Sequence, residues 1–310
     1  NNNAQFINCD ITSLKGEELE ALYPDNTTRI LVGCAPCQPF SKYTNRYRKD
    51  GPIDDKWKLL YSFSRLVREV EPEVISMENV PELGKEKVFS DFVSALEQLN
   101  YFVDWKIVYC PQYGVPQNRK RLVLLASRLG EIELIPPLYD AEHYPTVRQA
   151  IENLPRLKDG EQDANDLLHR ACKLSETNLK RIRQSVPGGT WRDWDENLRL
   201  KCHKKESGKT YGSVYGRMSW DEPSPTITTQ FYGYGNGRFG HPEQDRALSL
   251  REGAVLQSFP PDYIFIDNEH PSNQREIGIH IGNAVPVELG RTIGISIQQH
   301  LQGVERDGAN

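Results

Sequence analysis

The sequence predicts an α/β protein: a doubly wound, mostly parallel sheet with a second, smaller and irregular domain. Three observations point there. Up to about residue 135, short apolar runs alternate with segments of helical spacing, the pattern of successive strand–helix units. From about 145 to 245 that periodicity gives way to polar chain rich in Gly, Trp and Arg. An apolar helical stretch then returns at the C-terminal end, Val287 to Leu301, and is expected to pack back on the first domain.

The elements follow in order. Phe6-Ile7 and Ile30-Leu31-Val32 read as strands. Leu59, Leu60, Phe63, Leu66, Val67 and Val70 recur at helical spacing, and Glu71-Pro72 stops that helix. Val74 to Met77 is a strand, Phe89 to Leu99 a helix, and Phe102 to Val108 and Arg121 to Ala126 are further strands. The pattern breaks near Ile135-Pro136-Pro137. In the polar middle two helices are expected, Val147 to Leu154 and Leu174 to Gln184, with loops at Pro187-Gly188-Gly189 and Gly233 to Gly237. The expected division is 1–140 plus 276–310 for the first domain and 141–275 for the second.

A chain of 310 residues with 37% hydrophobic content suits one large or two smaller globular domains. No apolar run approaches the length of a membrane span. The cysteines at 9, 34, 37, 110, 172 and 202 show no disulfide framework, which suits a reducing cytoplasm. Net charge is −5, yet basic residues cluster. Lys42, Arg46, Arg48, Lys49, Lys56 and Lys58 form one group, and Lys180, Arg181, Arg183, Arg192, Arg199, Lys201, Lys204, Lys205 and Lys209 another. Tyr43, Tyr47, Trp57, Trp191 and Trp194 interleave with them. Such a local positive face binds phosphates on an acidic protein, and a solvated surface gives the same pattern.

The chemistry-bearing residues stand at strand ends. Arg29 to Val32 leads into Gly33-Cys34-Ala35-Pro36-Cys37-Gln38-Pro39-Phe40-Ser41. Val74 to Met77 leads into Glu78-Asn79-Val80, and Gln117-Asn118-Arg119-Lys120-Arg121 opens the run Leu122 to Ala126. In α/β folds ligands bind at the carboxyl edge of the sheet. A thiol, an acid and two guanidiniums there make a candidate covalent site. Cys34 and Cys37 also form a CxxC, but a zinc site needs about four ligands, and no second CxxC or His pair is spaced to complete one. No metal is expected.

With Asp10-Ile11 ahead of these blocks, and Leu248-Ser249-Leu250-Arg251-Glu252, Leu256 to Pro260 and Gly282-Asn283-Ala284-Val285-Pro286 behind them, most of the chain resembles the DNA cytosine-5 methyltransferases of bacterial restriction-modification type. The resemblance implies a Rossmann-like methyltransferase fold, a target-recognition domain, duplex DNA as partner and S-adenosylmethionine as methyl donor. It also implies a bacterial cytoplasmic, nucleoid-associated monomer. Cys37 becomes the nucleophile that adds to C6 of cytosine, and Glu78 the acid that supplies a proton to N3. Arg121 would face the cytosine O2 side, with Arg119 bracing the pocket and its acid; the two are read as facing different sides. Asp10, Ile11, Pro36, Leu59, Asn283 and Val285 would line the donor site. Gln38, Ser41 and Thr228 would meet DNA, and Ser41 to Trp57 would form a loop closing over it. Lys56 stands where the family usually carries Arg. Arg251-Glu252 and Leu256-Gln257 would organise the recognition domain, and base readout would come from side chains between about 185 and 245.

One departure from the family stands out. Its opening Phe-x-Gly-x-Gly-Gly block and the acidic residue that holds the ribose are absent from these residues. A βαβ unit's worth of chain, roughly 30 residues or more, is expected to come from a missing N-terminal segment or a separate polypeptide. The chain alone is then expected to bind the donor weakly. Gly233 to Gly237 lies in the wrong domain to replace that loop. Alternative readings are a catalytically incomplete DNA-binding module and a tRNA cytosine-5 methyltransferase; the Cys-Phe-Thr signature of the tRNA branch is not found.

Overall fold

The computed structural model describes residues 4–35, 58–208, 212, 214–266 and 273–308. The chain divides into two compact units. One comprises 2–109, 120–136 and 290–310, and the other 110–119 and 137–289.

The first unit is built on a four-stranded sheet. Its strands are β1 (Ile30–Gly33), β2 (Val74–Asn79), β3 (Phe102–Tyr109) and, after the two-residue β4 (Gln117–Asn118), β5 (Lys120–Ser127). The spatial order is β1-β2-β5-β3. β1 and β2 pair in parallel, while β5 runs antiparallel to both β2 and β3. Three of the four strands therefore point the same way, and β5 is the reversed one. The cause is the connection: β3 reaches β5 through Cys110–Arg119 without a crossover helix, and parallel neighbours need a long crossover.

Two helices cover one face of the sheet. They are α2 (Lys58–Val70) and α3 (Lys87–Gln98), following the small α1 (Gly16–Glu20). Phe63 and Val67 of α2 and Phe89, Phe92 and Leu96 of α3 bury against Ile75 and Met77 of β2 and Leu122, Leu124 and Ala126 of β5. These alternate strand positions share a face because side chains alternate along a strand. Phe63 and Phe92 meet with ring centroids 5.7 Å apart. α2 stops where Glu71 turns left-handed (φ 46°) before Pro72. On the opposite face Ser127 reaches His300 of α8 (Val287–Gly308), Oγ to Nε2 at 2.7 Å, and Ser296 Oγ accepts from Ile135 N at 3.0 Å. β1 forms an edge. Its second side has no partner strand among the described residues, and Val32 is 65% exposed. A groove beside it is lined by Ile30, Ile297 and Leu301.

The second unit contains α4 (Val147–Ile151), α5 (Glu176–Gln184), β6 (Ser224–Pro225), α6 (Leu250–Leu256) and α7 (Gln274–Asn283). One core joins Val147, Ile151, Phe231, Phe239, Leu250, Ile277 and Ile281. Another joins Ile182, Trp191, Trp194, Tyr234 and Ala247. Most of the unit is irregular, and buried arginines replace a strand ladder. Arg217 donates to the carbonyls of Ile182, Ser185, His241 and Gln244 and pairs with Asp245. Each carbonyl so satisfied would otherwise be a buried orphan.

Several sequence expectations change. Phe6-Ile7 forms no strand; both residues are exposed, at 87% and 46%, and no ladder takes up their backbone. α4 ends at Ile151, and the C-terminal helix runs past Leu301 to Gly308. α7 belongs to the irregular unit because Ile277 and Ile281 pack there. Trp191 and Trp194 are core residues, 4% and 2% exposed, and each still carries a basic side chain on its ring, exposed Arg192 lying 5.1 Å from the Trp191 centroid. Arg181 is likewise stacked over Trp194 and Tyr215, 5.4 Å from each ring centroid.

Candidate active site

In the sheet unit the acid stands where β2 ends. Every residue of β2 is buried, so Glu78 is held rigidly, 6% exposed, opposite Val123 of β5. Arg121, near the start of β5, places Nε 2.7 Å from Glu78 Oε1. The pair is close, yet Oε1 is buried and receives no directed hydrogen bond. Arg121 also donates from Nη1 to the Lys120 carbonyl at 2.8 Å. On the other carboxylate oxygen, the Cys34 thiol donates to Oε2 at 3.2 Å. The neighbouring Asn79 donates from Nδ2 to the Ala35 carbonyl at 2.9 Å, and its Oδ1 accepts from Val80 N. Asn79 thus fixes the chain as it leaves β1. The next residues, Pro36, Cys37, Gln38 and Ser41, lie outside the described residues, as does the rest of the Ser41 to Trp57 segment.

The expected donor-site residues of this unit sit before and on α2. Asp10 is exposed; Thr12 donates to its Oδ1 from both N and Oγ1 at 2.8 Å, and these bonds hold its carboxyl below the usual range. Ile11 packs half-buried against the core. Arg65 of α2 donates to the carbonyls of Ile11 and Leu14, at 3.1 and 2.7 Å, and so ties this segment to the helix whose first turn carries half-buried Leu59.

The other unit gathers Arg119, Thr228, Asn283 and Val285. Arg119 is 4% exposed. Its Nη1 donates to Ile227 O at 3.2 Å and Gln117 Oε1 at 3.3 Å, and its Nη2 to Ala284 O at 3.5 Å. Gln117 links on to Gln257 Oε1 at 2.9 Å, and Gln257 Nε2 to Ile281 O at 2.8 Å. The end of α7 presses on the backbone at Thr228: a Cβ on Gly282 would lie 2.5 Å from Thr228 C and Thr229 N, so only glycine fits. Thr228 and Asn283 are exposed, and Val285 is half-buried.

The two arginines therefore part company, and the reason is a break in the chain. On an unbroken strand residues two apart share a face. Here Arg119 falls between β4 and β5, with its N–H turned to Gln117 O at 2.7 Å. Among the described residues the guanidinium on Glu78 belongs to Arg121, whereas the sequence suggested Arg119. Cys34, Asn79 and Gln117 were given no role from sequence, although Asn79 and Gln117 stand inside the blocks that drew attention to their neighbours. Arg251 and Glu252 act structurally. Arg251 pairs with Asp166 and bonds the Tyr263 carbonyl, and Glu252 is clamped by Arg246 at 2.6 and 2.8 Å.

Comparison with known proteins agrees with this arrangement. Residues 1–299 match the family described as C-5 cytosine-specific DNA methylase. The chain is 54% identical over 307 residues to the Type II methylase M.HgiDII of Herpetosiphon aurantiacus, covering 98% of this chain and 85% of that protein. It is 30% identical to the Type II methyltransferase M1.HphI of Haemophilus parahaemolyticus, covering 94% of this chain and 74% of that one. In fold it is similar to a mutant form of DNMT2 from Spodoptera frugiperda, with a TM-score of 0.60 at 15% identity over 93% of this chain and 83% of that one. A reversed strand inside an otherwise parallel sheet, a buried acid at a strand end and these relatives agree: the chain belongs to the C-5 cytosine-specific DNA methylases.

Proposed function

We propose that this protein methylates C5 of a cytosine flipped out of duplex DNA at a specific site, as part of a Type II restriction-modification system. The observation that carries the reading is Glu78: a buried carboxyl at the carboxyl edge of the sheet, braced by Arg121, with a lone pair on Oε1 that no directed hydrogen bond occupies. Cytosine C5 is a weak nucleophile. Addition of the Cys37 thiolate to C6, with a proton or strong hydrogen bond at N3 from Glu78, turns the ring into an enamine whose C5 accepts a methyl group. Loss of the C5 proton to a base then expels the thiolate and restores the ring. Arg121 holds the acid in place, and Arg119 braces the backbone at Ile227 and Ala284. Thr228, exposed and fixed by the approach of Gly282, contacts phosphate beside the flipped base. The unit of 137–289 recognises the target.

S-adenosylmethionine supplies an electrophilic methyl on a sulfonium. The residues present fit part of it. Exposed Asp10 offers an acceptor for the adenine amino group, with Ile11 and Leu59 as apolar walls, Pro36 beside Cys37, and Asn283 and Val285 from the C-terminal block. The open edge of β1, with Val32 exposed, is where a further strand carrying backbone donors for the methionine end would pair.

The test is methyl transfer to DNA by the full-length enzyme and its variants. Cys37→Ala is expected to abolish transfer, and Glu78→Gln to lower kcat by about 10²- to 10⁴-fold. A 5-fluorocytosine duplex should leave an adduct on Cys37, and intact-mass spectrometry without that adduct would sink the mechanism.

A further inference from the structure

Arg238 in the recognition unit differs from the other arginines there. It follows the turn Tyr234–Asn236 and Gly237 and leads into buried Phe239 and Gly240. The platform beneath it is rigid. Isolated bridges join Pro187 to Arg217, Arg217 to Gly240 and Gly240 to Ala247. Gly240 N donates to Gly216 O at 2.9 Å, and the buried Arg217 stitches the carbonyls below. The half-buried stem of Arg238 lies across Gly216, where a Cβ would fall 2.9 Å from Arg238 Cγ and 3.2 Å from Nε. Nε is buried and makes no hydrogen bond, while Nη1 and Nη2 stay accessible and meet no acceptor among the described residues.

A buried donor without a partner is costly and calls for a reason. Arg217 and Arg246 have their carbonyls and carboxylates; exposed Lys180, Lys201, Lys204 and Lys205 are free to move with the solvent. Packing against Gly216 holds the stem of half-buried Arg238, and no acceptor among the described residues claims its two terminal nitrogens. A guanidinium fork fits phosphate oxygens as well as a base edge with two adjacent acceptors, and a stem held in one place suits the single register that a base edge demands.

We propose that Arg238 reads sequence, its Nη1 and Nη2 donating end-on to N7 and O6 of one guanine in the recognised DNA site. This rests on the function proposed above and names a residue that sets its specificity.

The full-length enzyme and its Arg238→Ala and Arg238→Lys variants are expressed in cells lacking 5-methylcytosine, and bisulfite sequencing gives the methylated motif of each. Discrimination at one guanine is expected to fall about tenfold or more in Arg238→Ala. Binding supplies a second measurement that needs no turnover, using target duplexes with 7-deazaguanine at each guanine in turn. The wild type should lose about tenfold at one position, and Arg238→Ala should lose nothing further there. Uniform weakening with a salt slope shallower by about one charge would mean a phosphate contact and overturn the proposal. A lowered Tm with an unchanged motif and unchanged 7-deazaguanine sensitivity would mean a structural role and overturn it too. If the wild type itself leaves no 5-methylcytosine, the proposed function fails and takes this inference with it. An unchanged motif in an active enzyme defeats the Arg238 reading alone.

Discussion

The two units solve the same problem by different means. Both must bury chain without stranding backbone polar groups. The sheet unit does so with ladders: β5 pairs along its whole length with β3 and from Leu122 to Ser127 with β2, and one apolar face stacks on α2 and α3. The unit of 110–119 and 137–289 has few ladders, so guanidiniums take their place. Arg217 serves four carbonyls, Arg119 two, Arg246 those of Leu157 and Ala247, and Arg251 that of Tyr263. One arginine carries five donors, enough to replace several rungs. A fold held by ladders spreads its stability over many weak contacts; a fold held by a few buried ions concentrates it.

Three measurements test that contrast. The largest effect is expected from Arg217→Ala, which orphans its four carbonyls and leaves half-exposed Asp245 only Arg183, 3.5 Å away, at a cost of about 3–5 kcal/mol. Hydrogen exchange should show amides of 137–289 losing protection while β2 and β5 keep theirs. Equal loss in both units would end the idea that the ions act locally.

Next comes acid. Burial pushes His241 down to about 4, with Arg246 and Arg217 adding to the shift and Glu252 and Glu243 opposing it. The hydrogen bonds agree, since the N–H groups of Glu243 and Gln244 both donate to its Nδ1, which must therefore be unprotonated. Burial would raise Glu252, but the charge and paired bonds of Arg246 hold it at about 2. Both groups sit below their unfolded values of 6.5 and 4.5. Their contribution is therefore complete above about pH 6.5 and drains as the unfolded chain takes up protons: through His241 down to about pH 4, then through Glu252 down to about pH 2. The His241 part is at most about 3 kcal/mol. Tryptophan fluorescence should report the unit of 110–119 and 137–289 opening first, since Trp191 and Trp194 are buried in it. His241→Gln should remove the upper part of the pH dependence, and a wild-type profile flat between pH 6.5 and 4 would refute it.

The smallest effect belongs to the sheet unit. Ile75→Val in the fully buried β2 should cost about 1 kcal/mol and lower protection evenly across the four strands. Protection lost only near residue 75 would show that the sheet does not share its load.

The same contrast explains what the sequence revealed. α2 and α3 were legible because their apolar residues recur at helical spacing, and β2, β3 and β5 because their apolar runs are dense. The direction of β5 was not, since it depends on how the chain returns from Tyr109 and not on its own composition. Phe6-Ile7 misled because two apolar residues resemble a strand whether or not a neighbour exists. At the site, Glu78 and Arg121 were visible as strand-end polar residues in a family pattern. Their pairing was not, because the break at Arg119 is a matter of backbone geometry. The buried arginines were the least legible of all: in sequence Arg217 and Arg246 look like any surface charge, and only the carbonyls around them show otherwise.

The passage from β3 to β5 has a practical consequence for redesign. The decapeptide Cys110–Arg119 is flanked on both sides by sheet but keeps company with 137–289, through Gln117 with Gln257 and Arg119 with Ile227 and Ala284. Anyone transplanting this unit between relatives by cutting at 137 and 289 would leave this piece behind, and the graft would arrive with mismatched seams. The portable cassette is discontinuous, and both fragments have to travel together.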